Sequence, residues 1–176
     1  MAEASPATRS LAQIRALAFD VDGVLTDGGF WWGPGGEEWK RFCFADVMGL
    51  SLARRAGLQL ALISGEDSPL IDRYAQKLLI SHVVKGTRDK AGALRGFAAA
   101  INLDLAQIGF MGDDINDLAA MKLAGFSAAP SNASADVLAQ VDFVAQKPGG
   151  NGAVRELVEA LLAAQGLTVH QVFARS

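Results

Sequence analysis

The stretch that decides the fold is Ala16-Leu-Ala-Phe-Asp-Val-Asp-Gly-Val-Leu-Thr-Asp-Gly28. Its first half is nearly all apolar, the pattern of a strand buried within a parallel sheet. The run ends in Asp20 and Asp22, with Gly23 directly behind them. Residues i and i+2 of a strand share a side, so both carboxylates can face one point at the strand's carboxyl end. In open α/β sheets that end is where ligands bind. Two neighbouring acids repel unless a cation or a shared proton holds them, and hard oxygen donors suit Mg²⁺. The plainer reading is an Asp-Gly turn closing a core strand.

Downstream the pattern is regular. A helix near Val47 to Arg55 leads through Gly57 into an apolar strand over residues 58–63, which ends in Ser64-Gly-Glu-Asp67. Ser68 suits an N-cap and Pro69 a first helical position, opening a helix to about Leu78. A short strand over 82–85 precedes a helix over 89–101, and a strand over 107–111 runs into Gly112-Asp-Asp-Ile-Asn-Asp117. A helix over 118–124, short strands near Phe126 and Phe143 around another helix, and a helix over 153–164 complete the chain. With a first strand at about 15–20, this alternation predicts an α/β, Rossmann-like, doubly wound parallel sheet. Residues 1–14 are expected to be a frayed leader, 15–166 one domain, and 167–176 a tail.

The bulk composition narrows the function classes. A chain of 176 residues can bury one ordinary core. A net charge of −3 without a basic patch argues against nucleic acid. Cys43 is the single cysteine, which excludes an internal disulfide and fits a reducing cytoplasm. Residues 1–10 are rich in Ala and Ser and lack the apolar segment of a secretory signal, and no run approaches a membrane span. A cytoplasmic protein that engages no membrane is expected.

Residues 28–44 stand apart. Two aromatic-rich runs flank Gly33-Pro-Gly-Gly36, which reads as a β-hairpin carrying Phe30, Trp31, Trp32, Trp39, Phe42 and Phe44. A lone two-stranded ribbon is marginal in water, so something must cover it. It either folds back on its own domain or packs against other subunits, and the size of the apolar surface favours the second.

Three predicted strands therefore end in polar clusters: Asp20 with Asp22, Ser64, and Asp113, Asp114 and Asp117. Lys90 opens a helix after a fourth. A parallel sheet gathers such ends on one edge. Acids for a cation, a hydroxyl and a lysine suit phosphoryl transfer, which depends on positioning and charge neutralisation. Asp117 reads equally well as an acid stabilised in the first turn of a helix.

Asp-x-Asp-Gly-Val-Leu-Thr-Asp, Ser-Gly, Lys and Gly-Asp-Asp-x-x-Asp, in that order, resemble the haloacid dehalogenase superfamily. The resemblance implies Asp20 as nucleophile and Asp22 as general acid and base. It also implies Ser64 and Lys90 as phosphate ligands, and Mg²⁺ held by the Asp20 side chain, the Asp22 main-chain carbonyl and the Asp113 side chain. Asp114 and Asp117 would support the metal and Lys90 from behind. No cap domain fits, since only the hairpin intervenes. That resembles the capless branch acting on phosphorylated 2-keto-3-deoxy sugar acids, whose members form tetramers through packed hairpins. By the same likeness Thr26, Gly65, Glu66, Lys77 and Arg155 would face the substrate. Gly149-Gly-Asn-Gly-Ala-Val-Arg-Glu156 resembles a family segment that helps close a neighbouring subunit's site. The plainer readings are a solvated Arg155, a solvated Lys77 and an unengaged Glu66.

Two departures bear on the substrate. Ser64-Gly-Glu66 stands where octulosonate 8-phosphate phosphatases usually have Thr-Gly-Arg, and Ala45-Asp46-Val47 replaces their Arg-Asp-Gly. The segment Gly28-Gly-Phe30…Glu38-Trp-Lys-Arg-Phe42, followed by Ser64-Gly-Glu66 and then Lys77, is more similar to the branch acting on nonulosonate 9-phosphates such as that of 2-keto-3-deoxynononate, so the reading leans there. 3-Deoxy-manno-octulosonate 8-phosphate is the alternative. A phospho-accepting signalling domain is more remote, because there the acceptor Asp stands alone on a middle strand. A catalytically silent oligomeric platform is remoter still, since no chemical group is missing.

Overall fold

A computed structural model describes residues 11–174. The leader expected over 1–14 lies outside the described residues as far as residue 10. Its last part is not frayed: Leu11 and Ile14 are buried in the core. The strand β1 (Ala16–Phe19) is buried on both faces. It pairs in parallel with β4 (Gln59–Ile63) on one side and β6 (Ile108–Met111) on the other. Outside these lie β5 (His82–Val84), then β7 (Phe126–Ala129) and β8 (Phe143–Val144), in the order β5-β4-β1-β6-β7-β8, all parallel. Phe19 is level with Leu62 and Met111, so three chain segments leave the sheet side by side.

Alternation then sorts the side chains into two layers. Leu17, Phe19, Leu60 and Leu62 pack toward α1 (Phe44–Arg55), α2 (Pro69–Leu78), α6 (Ala153–Ala164) and α7 (Val169–Phe173). Ala16, Ala18, Ala61 and Ile63 pack toward α3 (Lys90–Ile101), α4 (Leu118–Met121) and α5 (Ala135–Leu138). This is the expected doubly wound, Rossmann-like architecture. The helix α2 shows how local sequence sets it up. Ser68 accepts a hydrogen bond from the Leu70 N–H, Pro69 sits in the first turn, and Ile71, Tyr74, Ala75 and Leu78 bury one stripe.

The helix α1 begins three residues earlier than its apolar pattern suggests. Asp46, in its first turn, is fully buried, and its carboxylate accepts hydrogen bonds from the N–H groups of Gly152 (3.0 Å) and Arg155 (3.1 Å). Those donors are the open N-terminus of α6, which a carboxylate satisfies well. Burial still raises Asp46 above the usual carboxylate range, against the pull of these N–H groups. The tail also packs on its own chain through Ala174: Val172 is buried and the Phe173 carbonyl accepts from Arg55 at 3.1 Å.

Between β1 and α1 the chain inserts only the hairpin, β2 (Trp31–Trp32) paired antiparallel with β3 (Glu38–Trp39). Phe30, Trp31, Trp32, Trp39 and Phe44 are each more than half exposed, so the ribbon's own domain leaves these aromatic rings uncovered. Phe42 is the exception, stacked on Tyr74 with ring centroids 4.2 Å apart. Among the described residues no helix is long and apolar enough to cross a membrane.

Replacing Asp46 with Ala strands the N–H groups it serves, at a cost of about 1–3 kcal/mol. Chemical denaturation against the unmodified chain measures this, and Asp46→Asn, which keeps one acceptor, should lie between the two.

Candidate active site

The site forms where β1 and β6 end. The Asp20 N–H still bonds the Met111 carbonyl at 2.9 Å, after which the chain turns through Val21–Thr26 with Leu25 and Thr26 N–H groups returning to the Val21 carbonyl. Gly23 holds φ +88°, and a Cβ there would collide with the Asp113 carboxylate. Glycine is thus what lets the acid from β6 close on the loop from β1.

Around this contact the charges are arranged tightly. The Lys90 ammonium at the start of α3, with only 2% of its side chain exposed, lies 2.9 Å from Asp20 Oδ1 and 2.7 Å from Asp117 Oδ1. The other Asp117 oxygen accepts the N–H groups of Asp113 (3.1 Å) and Asp114 (3.3 Å). Asp117 is fully buried, so it works as a post rather than as a solvated first-turn acid. One oxygen each from Asp20, Asp113 and Asp117 falls within 4.8 Å of the others. Both Asp117 oxygens are occupied, which leaves Asp20 and Asp113 as the open donors. Three carboxylates against one ammonium leave an excess of negative charge on hard oxygens, the donor set of a divalent cation.

The electrostatics follow from that crowding. Burial first, then the Asp117 charge, pushes Asp20 up to about 8 despite Lys90. Burial, then Asp117 and Asp114, raises Asp113 to about 6, while Lys90 and a hydrogen bond to Asp20 pull the other way. Burial alone would lower Lys90, but Asp20 and Asp117 outweigh it and hold the ammonium above the usual lysine range.

The remaining expected residues divide. Ser64 is buried at the end of β4, beside β1, and its Oγ accepts the Glu66 N–H at 3.1 Å, leaving the hydroxyl proton to donate. Gly65 follows it, exposed, near the Thr87 carbonyl. Asp22 does not place its carboxylate with Asp20 and Asp113; both oxygens turn to Lys40. Asp114 is exposed and caps its own turn through the Ile115 N–H (2.8 Å), so its carboxylate supports neither Lys90 nor the donor pair directly. Thr26 is fully buried, accepting the Gly23 and Gly28 N–H groups, and braces the loop instead of facing a substrate. Lys77 does not pair with Glu66. The ten-residue helix α2 separates them by roughly 15 Å of rise, and its ammonium sits 5.9 Å over the Phe44 ring. The Arg155 guanidinium binds Glu159 of its own helix at 2.7 Å.

Read from the sequence, Lys40 has no role of its own beyond its place in the Glu38–Phe42 segment. It follows β3, and its side chain is only 3% exposed. Together with Phe42, Phe44, Leu70, Arg73 and Lys77 it lines a cleft of about 470 Å³ between the foot of the hairpin and α2. The signal available was the run Glu37-Glu38-Trp39-Lys40-Arg41, whose charges are out of place in an apolar ribbon.

Comparison with known proteins gives a consistent result. Residues 65–157 match the family model described as haloacid dehalogenase-like hydrolase. The chain is 35% identical over 153 residues to the 3-deoxy-D-manno-octulosonate 8-phosphate phosphatase KdsC of Escherichia coli K12, covering 87% of this chain and 81% of that one. The crystal structure of the enzyme of that name from Moraxella catarrhalis, in complex with magnesium ion, phosphate ion and KDO, aligns with TM-score 0.89 and 38% identity over 91% of this chain and 92% of its own. A cobalt-bound deoxy-D-mannose-octulosonate 8-phosphate phosphatase from Haemophilus influenzae aligns with TM-score 0.87 and 36% identity over 89% and 92%.

Raised carboxyls make the metal-free folded chain bind more protons than the unfolded one between about pH 4 and 8. Stability conferred by those protons is present at low pH and lost as pH rises through 6 and then 8. The metal-free protein should therefore melt lower at pH 8 than at pH 5, and millimolar Mg²⁺ should close the gap. Calorimetric titration in buffers of different ionisation enthalpy should register protons released on Mg²⁺ uptake at pH 6 and few at pH 8.5.

Proposed function

This chain belongs to the haloacid dehalogenase-like hydrolase family, and on that premise we propose that it removes phosphate from a phosphorylated 2-keto-3-deoxy sugar acid, with 3-deoxy-manno-octulosonate 8-phosphate as the first candidate. It is a phosphatase, a phosphoric monoester hydrolase. The observation that carries the chemistry is the close pair of buried Asp20 and half-buried Asp113, backed by Lys90 and Asp117 at one sheet edge. The lean toward a nonulosonate 9-phosphate rests on the hairpin segment Glu38–Phe42, Ser64-Gly-Glu66 and Lys77. It yields first place because the similar enzymes of 35–38% identity bear octulosonate 8-phosphate names. The nine-carbon ester remains the second reading, and family membership removes the phospho-accepting signalling domain.

Each residue then has a task. Asp20, ionised, attacks phosphorus to form an aspartyl-phosphate while the sugar oxygen departs. Asp22 gives that oxygen its proton, then takes one from the water that attacks the phosphoenzyme and regenerates Asp20. Lys90 holds Asp20 in line between β1 and β6, and Ser64 donates its hydroxyl to a phosphate oxygen. The Asp20 and Asp113 side chains and the Asp22 main-chain carbonyl would hold Mg²⁺, which when bound would supply neutralisation of the charge that phosphate and carboxylate share. Gly65 and Glu66 lie beside Ser64 at the mouth, where Glu66 can accept bonds from sugar hydroxyls. Thr26 braces the loop, Asp114 caps its own turn, Arg155 is bonded to Glu159, and Lys77 lines the cleft between the hairpin and α2. The exposed aromatic hairpin is read as the contact that assembles a homotetramer, and the single cysteine supports a cytoplasmic location.

Steady-state phosphate release should show kcat/KM for 3-deoxy-manno-octulosonate 8-phosphate at least about tenfold above that for 2-keto-3-deoxynononate 9-phosphate, which is a difference of about 1.4 kcal/mol. The reverse order restores the nine-carbon reading. Asp20→Asn should melt no lower than the parent chain while phosphate release falls by more than about a thousandfold. Full activity in that variant excludes Asp20 as nucleophile.

A further inference from the structure

Lys40 is a buried cation that the chemistry above does not use. Its Nζ lies 2.9 Å from Asp22 Oδ1 and 3.0 Å from Oδ2, so one ammonium spans both carboxylate oxygens. It faces Glu38 Oε1 at 3.6 Å, and Glu38 accepts in turn from Ser68 Oγ and Trp32 Nε1, each at 3.3 Å. A polar chain thus runs from Trp32 on the hairpin, through Glu38 and Lys40, to Asp22, with Ser68 fastening it to α2. The next two residues pin the ribbon down. Arg41 bonds Asp27 (3.1 Å), the Gly150 carbonyl (3.1 Å) and Asn151 Oδ1 (2.8 Å), and Phe42 pairs with Thr26.

Among the described residues Lys40 is the only side chain bonded to the Asp22 carboxylate, which is 29% exposed and would otherwise be free to turn into solvent. Burying an ammonium is costly, and an apolar residue would stabilise the foot of the hairpin more cheaply. We propose that Lys40 is a positioning residue for Asp22: the hairpin supplies the cation that fixes the direction of the acid and base of the reaction. This rests on the phosphatase reading and adds to it a residue that acts without touching the phosphate.

The test is a double-mutant cycle of Lys40→Met and Asp22→Asn, followed by rapid mixing with p-nitrophenyl phosphate. Its leaving group departs without needing a proton, so loss of Asp22 function falls on hydrolysis of the phosphoenzyme. Lys40→Met should lower kcat by about 10- to 100-fold with KM within about threefold, and give a burst near one p-nitrophenolate per chain before slow turnover. In the Asp22→Asn background the same change should cost less than about twofold, because its target is gone. Lys40→Arg, which can bind both oxygens, should recover most of kcat. An equal loss in both backgrounds, or unchanged kcat in Lys40→Met, overturns the proposal. Should Lys40→Met not fold, Lys40→Gln carries the same cycle. A parent chain inert toward p-nitrophenyl phosphate and both sugar-acid esters overturns the phosphatase reading, and this inference with it. An active parent with an equally active Lys40→Met overturns this inference alone.

Discussion

Repulsion among carboxylates buried at one sheet edge is the constraint on which the rest of this structure depends. A parallel sheet brings the ends of β1 and β6 together whatever residues they carry, and here they carry Asp20, Asp113 and Asp117. Left alone, such a group would take up protons or force the edge apart. Lys90 answers two of the charges, and the N–H groups of Asp113 and Asp114 answer Asp117. One ammonium shared between Asp20 and Asp117 leaves the Asp113 carboxylate, against Asp20, without a cation of its own. The folded chain is thus incomplete in charge at the point where its chemistry begins.

The loops around that edge are built to tolerate close approach. Gly23 leaves room for the Asp113 carboxylate, and Gly149 presses so near the Gly23 carbonyl that no side chain fits there. The Gly150 N–H bonds the Val24 carbonyl, while Asp46 holds the adjoining end of α6 from the other side. The glycine-rich segment therefore braces the acidic loop from behind, and Arg155, further along, pairs with Glu159 one turn away on its own helix.

The fold was legible in the sequence because its signals are local. Apolar strand runs, the Ser68-Pro69 helix start and the acids at strand ends each declare themselves within a few residues. The Asp20, Asp113, Lys90 and Asp117 group was readable for the same reason, since strand ends in a parallel sheet meet by construction. The bonds of Thr26 and Arg155 were not legible, because their residue types suit a ligand and an internal partner equally well. Only packing shows Thr26 on the Gly23 and Gly28 N–H groups and Arg155 on Glu159. Asp114 sits next to Asp113 but lies one step round a tight turn, which sends it to solvent. Lys77 was placed by family resemblance, with one helix known to separate it from Glu66, and its seat over the Phe44 ring follows only from the fold. The role of Lys40 was invisible for the opposite reason: its partner Asp22 is eighteen residues away and meets it only through the course of the hairpin.

That hairpin has two-residue strands, with Trp31 opposite Trp39 and Trp32 opposite Glu38. The side chains of a ribbon alternate, so a shift of one residue exchanges its two faces. Exposed turns ordinarily accept insertions and deletions freely. Here Arg41 and Phe42 hold the chain that follows Lys40. A residue gained or lost in Gly33–Gly36 would therefore be taken up in the register of Trp31 and Trp32 against Glu38 and Trp39, and Glu38 is the carboxylate that faces Lys40. An exposed bend is thereby coupled to the setting of a buried cation. Lineages of such enzymes should vary the identity of these residues far more readily than their number.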